Sequence, residues 1–82
     1  MRRFINAEAL ASLEDLGFST YEARAYLALI KEKHATGYRI SKTSGLPRSR
    51  VYEILERLTS KGYAATLPAE PVEYAPVPIA EC

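Results

Sequence analysis

The segment Pro47-Arg48-Ser49-Arg50-Val51-Tyr52-Glu53 gathers the side chains with the greatest capacity for specific polar chemistry. Arg48 and Arg50 carry fork-shaped guanidiniums suited to phosphate oxygens or to the O6 and N7 of guanine. Ser49 between them can donate or accept. Glu53 can accept from the N4 amine of cytosine, and Tyr52 can pack on a thymine methyl or reach a phosphate. Arg57 and Lys61 follow, while Arg39 and Lys42 precede, and backbone phosphates are the natural partners of these four. Two structural readings stand beside this one. Glu53 and Arg57 are spaced i, i+4 in the favourable order and can pair on their own helix, worth a few tenths of a kcal/mol. Tyr52 can equally be an aromatic at the edge of a core.

Other chemistries find no support. His34 is the single histidine and has no second ligand at metal spacing, so it reads as a solvated loop residue. Ser41, Ser44 and Ser49 have no base beside them, and Gly37, Gly45 and Gly62 form no phosphate-cradling motif. The one cysteine, Cys82, is the last residue and allows neither an internal disulfide nor a thiolate cluster. The expectation is a protein that is not an enzyme and uses no metal or other cofactor.

The 82 residues are 48% hydrophobic and 26% charged, the balance of an ordinary globular domain. No apolar run is long enough to span a bilayer. No signal peptide is read either, because Arg2 and Arg3 lead into Glu8, Glu14 and Asp15. A reduced cytoplasmic protein is expected. The formal charge of +1 conceals a segregation. Lys31, Lys33, Arg39, Lys42, Arg48, Arg50, Arg57 and Lys61 face only Glu32, Glu53 and Glu56 within residues 31–61, a local excess of +5. The remainder carries −4. A basic middle between acidic flanks suits a module that offers one face to a polyanion.

The elements that must position these residues are legible in turn. Asn6 is placed to cap a helix over residues 7–16, with Leu10, Leu13 and Leu16 on one face and Gly17 ending it. Ser19 and Glu22 have capping-box spacing ahead of a helix over residues 20–32, whose apolar stripe is Ala23, Tyr26, Leu27 and Ile30. Thr36 caps a short helix over residues 37–43 that carries Ile40 inward. Ser44-Gly45-Leu46-Pro47 is a tight turn into a helix over residues 47–60, with Val51, Ile54, Leu55 and Leu58 as its core stripe. Residues 63–67 and 72–75 are β-prone and flank a four-residue loop, which reads as a hairpin. The fold class is therefore α+β, mostly α: a winged helix-turn-helix with about four helices and a two-stranded wing. Its expected core is Leu13, Tyr26, Ile30, Ile40, Leu46, Val51, Leu55 and Leu58. In that fold the N-terminal half of the second motif helix enters the major groove, which brings Arg48, Ser49, Arg50 and Tyr52 to base edges.

Residues 16–29, Leu-Gly-Phe-Ser-Thr-Tyr-Glu-Ala-Arg-Ala-Tyr-Leu-Ala-Leu, resemble the TrmB family of archaeal and bacterial transcription regulators, many of them sugar-responsive. The resemblance continues through Ala35-Thr36, Ile40-Ser41, the run from Ser44 to Leu55, and Lys61-Gly62-Tyr63, covering residues 13–78. It implies a DNA-binding winged helix, normally dimeric, followed in full-length members by a coiled-coil helix and an effector domain. Arg48, Ser49, Arg50 and Tyr52 fall at the implied groove-reading positions. The wing departs from the pattern, with Ala69, Glu70, Val72 and Glu73 where a glycine and basic residues usually stand. Residues 1–82 are thus expected to be a single domain of a fragmentary or truncated regulator, binding double-stranded DNA as a homodimer, with the effector ligand bound elsewhere. A winged helix used only for protein–protein contact is the alternative, and the acidic wing favours it.

Overall fold

Ser19 and Glu22 start α2 (Thr20–Glu32) by a reciprocal capping box. The Glu22 amide donates to Ser19 Oγ at 3.1 Å, and the Ser19 amide donates to Glu22 Oε1 at 2.9 Å. Two otherwise orphaned donors are satisfied where no helical carbonyl can reach them. This computed structural model describes residues 7–78, so the expected cap at Asn6 and the thiol of Cys82 lie outside the described residues. The preceding helix, α1, spans Ala7–Asp15. Thr36 caps α3 (Gly37–Ser44) by accepting from the Arg39 amide at 3.2 Å. The last helix, α4, covers Arg48–Ser60, with Pro47 as its N-cap residue.

Gly45 closes α3 in the left-handed region at φ 75°. A Cβ there would also approach the guanidinium of Arg24 to 2.9 Å, and that guanidinium donates to the Ser44 carbonyl at 2.8 Å. The turn into α4 thus needs glycine for its left-handed backbone conformation, and Arg24 caps the end of α3 beside it. The Ser44 hydroxyl accepts from the Leu46 amide at 3.1 Å, fixing the last step before Pro47.

The wing is larger than the expected two strands. A short strand, β1 (Ala35–Thr36), joins β2 (Ala64–Leu67) and β3 (Glu73–Pro76) in an antiparallel sheet of order β1-β3-β2. Ala35 sits opposite Tyr74 and Thr36 opposite Glu73, while Thr66 faces Tyr74 from the other side. The hairpin loop covers residues 68–72, one longer than expected. Two residues are too few for alternation to announce a strand, and the pairing that makes β1 comes from β3, distant in sequence.

The core agrees with expectation at Leu13, Tyr26, Ile40, Leu46, Val51, Leu55 and Leu58, all buried, together with Ile54. Ile30 is a correction: it is 48% exposed. The buried set on α2 is instead Glu22, Ala23, Ala25, Tyr26, Ala28 and Leu29, a broad arc because α1 packs on this helix as well as α3 and α4. Leu16 is likewise exposed, lying past the end of α1. Phe18 is buried in its place, with its ring centroid 4.6 Å from that of Tyr63 and 5.6 Å from that of Tyr26. The Tyr26 hydroxyl donates to the Val77 carbonyl at 2.9 Å, tying the chain that leaves β3 to α2.

Candidate nucleic-acid interface

With Val51, Ile54, Leu55 and Leu58 buried, α4 turns Ser49, Glu53, Glu56 and Ser60 outward. One flank of that exposed face carries Arg50, Arg57 and Lys61 toward the N-terminal end of α2. The other carries Arg48 and Tyr52 toward α3. The two flanks differ in how their charges are held.

On the first flank each cation has a carboxylate. Glu53 Oε2 accepts from Arg50 at 3.3 Å and from Arg57 at 3.5 Å, so one acid one turn from each restrains both guanidiniums. Arg50 also lies over the Tyr21 ring, 5.4 Å from its centroid. Lys61 donates to both oxygens of Glu22, at 3.0 and 3.3 Å, from a side chain that remains 46% exposed. Burial works to raise the Glu22 carboxyl. The Ser19 amide and the Lys61 ammonium outweigh it and hold that carboxyl below its usual range. Glu53 is thus the hub of a surface network, and Glu22 the buried end of an interhelical one.

On the second flank the arrangement is different. Arg39, on α3, pairs with Glu32 at 3.1 Å, and the Thr43 hydroxyl donates to the same carboxylate. That hydroxyl, and then Arg39, lower the Glu32 carboxyl against its desolvation. Lys42 and Arg48 meet no carboxylate at ion-pair distance among the described residues. Both lie against the ring of Tyr38, with the Lys42 ammonium 5.2 Å and the Arg48 guanidinium 4.8 Å from its centroid. Tyr38 itself is 46% exposed. Tyr52 is also partly exposed, but its ring covers Gly37, where an added Cβ would collide with the ring carbons. Nearby Tyr74, buried under the sheet, has its phenol pushed up by burial and then by Glu56 and Tyr52.

The structure therefore places Arg39, Lys42, Arg48, Ser49, Arg50, Tyr52, Arg57 and Lys61 along the exposed surfaces of α3 and α4 and at the end of α4. Tyr38 was missed by the sequence reading. Its signal was the i, i+4 spacing to Lys42 on a short polar helix, which brings the two side chains together. The wing acids also acquire a definite geometry. Glu73 Oε1 lies 2.6 Å from His34 Nδ1, so this carboxylate and the loop histidine are partners. Arg57 and Lys61 bond to Glu53 and Glu22 rather than to Glu73. Among the described residues no group of acidic, histidine or cysteine side chains could hold a metal ion, and no helix is long and apolar enough to cross a membrane.

Helices α3 and α4 joined by a glycine turn, with a hairpin packed beside α4, define a winged helix-turn-helix. The chain belongs to the TrmB family: the sequence pattern described as "Sugar-specific transcriptional regulator TrmB" matches residues 13–80. It is 45% identical over 69 residues to the uncharacterized protein YrhO of Bacillus subtilis, covering 84% of this chain and 25% of that one. Against the HTH-type sugar sensing transcriptional regulator TrmBL1 of Pyrococcus furiosus it is 36% identical over 73 residues, 89% of this chain and 21% of the relative. A solved structure of TrmBL2, described as an archaeal chromatin protein with a novel mode of DNA binding, superposes with a TM-score of 0.80. Identity there is 34%, over 85% of this chain and 27% of the other. The chain thus spans about a quarter of the length of these relatives.

Proposed function

We propose that this chain is the DNA-binding domain of a cytoplasmic, TrmB-type transcriptional regulator, with no enzymatic activity and no cofactor of its own. It binds double-stranded DNA sequence-specifically, as a homodimer on a two-fold site. The N-terminal half of α4 enters the major groove, with Arg48, Ser49 and Arg50 leading. Arg39, Lys42 and Arg57 supply backbone contacts, while Tyr52 and Lys61 act mainly through their packing against Gly37 and their bond to Glu22. The observation that carries the reading is this exposed basic surface on α3 and α4, in a fold shared with a relative described as DNA-binding. The protein-interaction alternative drew on the acidic wing, and the basic surface of α3 and α4 argues against it.

Duplex binding followed against salt tests the proposal. Neutralising backbone phosphates makes log affinity fall with log salt, by about 0.9 for each phosphate contacted. Two or more contacts should therefore be visible as a steep line, and a flat line would exclude DNA as the partner. Selection of bound sequences from a random duplex pool should then enrich a two-fold motif.

A further inference from the structure

Six cations lie on or next to the exposed surfaces of α3 and α4, and four of them are engaged by carboxylates: Arg39 by Glu32, Arg50 and Arg57 by Glu53, and Lys61 by Glu22. Lys42 and Arg48 are the exceptions among the described residues, and both are gathered on one exposed tyrosine ring. Helix α3 sets Tyr38 and Lys42 one turn apart, and the Gly45–Pro47 turn delivers the first residue of α4 to the same ring. The quadrupole of the ring attracts each cation and restricts its swing, yet it supplies no net negative charge. Two like charges, each about 5 Å from the centre of one ring and neither paired with a carboxylate among the described residues, present a site for an anion with two acceptor oxygens.

We propose that Tyr38 positions Lys42 and Arg48 as a clamp on one phosphate of the DNA backbone, so that Arg48 grips the strand instead of reading a base. The ligand chemistry is a phosphodiester: the guanidinium fork takes one or both anionic oxygens, and the ammonium contributes a compact charge beside it. This inference rests on the DNA-binding reading and sharpens it, because it moves one expected base contact onto the backbone. Tyr38 acts as a positioning residue through its ring, and its hydroxyl is not required. Base discrimination then falls to the outward residues further along α4, beginning with Ser49 and Glu53.

The test is fluorescence anisotropy of the 82-residue chain on two labelled duplexes, one enriched by selection and one unrelated, across a salt series. Lys42→Gln and Arg48→Gln should each flatten the salt slope by about 0.9 and weaken both duplexes by the same factor. Tyr38→Leu should weaken both several-fold while keeping the wild-type slope, since the cations remain. Tyr38→Phe, which keeps the ring, should restore wild-type binding. An Arg48→Gln variant that changes the preference between duplexes without flattening the slope would make Arg48 a base reader and overturn the proposal. So would Tyr38→Leu binding like wild type, or Tyr38→Phe failing as badly as Tyr38→Leu. A flat wild-type line would instead remove the DNA-binding reading and this inference with it, so the two failures are distinct.

Discussion

The Lys61 ammonium at the C-terminal end of α4 lies 3.0 Å from the buried Oε2 of Glu22, in the first turn of α2. The same carboxylate takes the Ser19 amide, so one side chain both begins a helix and fastens it to another. Lys61→Met removes the ammonium but keeps most of the stem, leaving the Glu22 carboxylate with the capping bond alone. Half-exposure of Lys61 tempers the loss, which should be about 1 kcal/mol and lower the melting temperature by roughly 5 °C. Thermal unfolding at neutral pH measures it, and an unchanged midpoint would show the pair to be a surface contact of no consequence.

The same pair predicts a pH dependence with a definite sign. Glu22 titrates lower in the folded chain than in the unfolded one, because the Ser19 amide and Lys61 outweigh its burial. Its contribution is therefore complete above the ordinary glutamate range, near pH 4.3, and disappears as pH falls through the lower folded value. Glu32, lowered by Thr43 and Arg39, acts in the same direction. The stability gap between wild type and Lys61→Met should accordingly be constant above about pH 5.5 and close on acidification below that range. Urea midpoints across pH 3 to 7 would show it, and a gap that widens in acid would reverse the sign argued here.

Local signals were readable in the sequence and distant ones were not. The bounds of α2 followed from Ser19 and Glu22, three residues apart, and the turn before α4 followed from Gly45 and Pro47. The strand β1 could not be read, because Ala35 and Thr36 become a strand only when Tyr74 and Glu73 pair with them. Ile30 has the right spacing for a core position, but spacing does not say how far along α2 its neighbours reach. Lys61 was evident as a basic residue, whereas its partner Glu22, 39 positions earlier, was visible only as a cap. Composition showed the charge of the candidate surface; only the fold sorted its cations into those held by acids and those held by an aromatic ring.

Gly37 and Tyr52 offer a test of helix packing. The Tyr52 ring covers Gly37 so closely that a methyl group there must displace it. Alanine would ordinarily gain up to about 1 kcal/mol over glycine in a helix. Displacing a packed ring typically costs about 1–3 kcal/mol, and overpacking should win. Gly37→Ala is therefore expected to destabilise by about 1 kcal/mol, and Tyr52→Ala in the same chain should recover much of that loss, giving a non-additive cycle. A stabilised Gly37→Ala protein would mean that the ring swings away freely and is available to a groove after all.

Glu53 holds Arg50 and Arg57 at the centre of the exposed face of α4. Glu53→Gln releases both guanidiniums and removes a negative charge that would otherwise approach phosphate. Binding to an unrelated duplex should strengthen several-fold, while discrimination between the selected and unrelated duplexes should fall, because an amide both accepts and donates where the carboxylate could only accept. Stability should change by no more than about 0.5 kcal/mol, the usual size for exposed ion pairs. Parallel titrations on the two duplexes decide it, and undiminished discrimination would confine Glu53 to pairing on its own helix.

Glu73 stands at the loop end of the wing, opposite Leu67 and Thr36 in the sheet and 2.6 Å from His34. A carboxylate here opposes any phosphate that comes near the wing, and His34 compensates it only when protonated. Glu73→Arg reverses the charge and should add one phosphate contact, strengthening duplex binding and steepening the salt slope by about one unit. The lost bond to an exposed histidine should cost no more than about 0.5 kcal/mol, since the pair lies near solvent. Combining Glu73→Arg with His34→Gln separates the two effects: the steeper slope should persist, because it depends on the new charge and not on the histidine. An unchanged slope in both proteins would mean that the loop end of the wing stays clear of the DNA, with contact confined to α3 and α4. Weakened binding with normal stability would instead make the Glu73 carboxylate part of the interface, accepting a hydrogen bond there instead of repelling the strand.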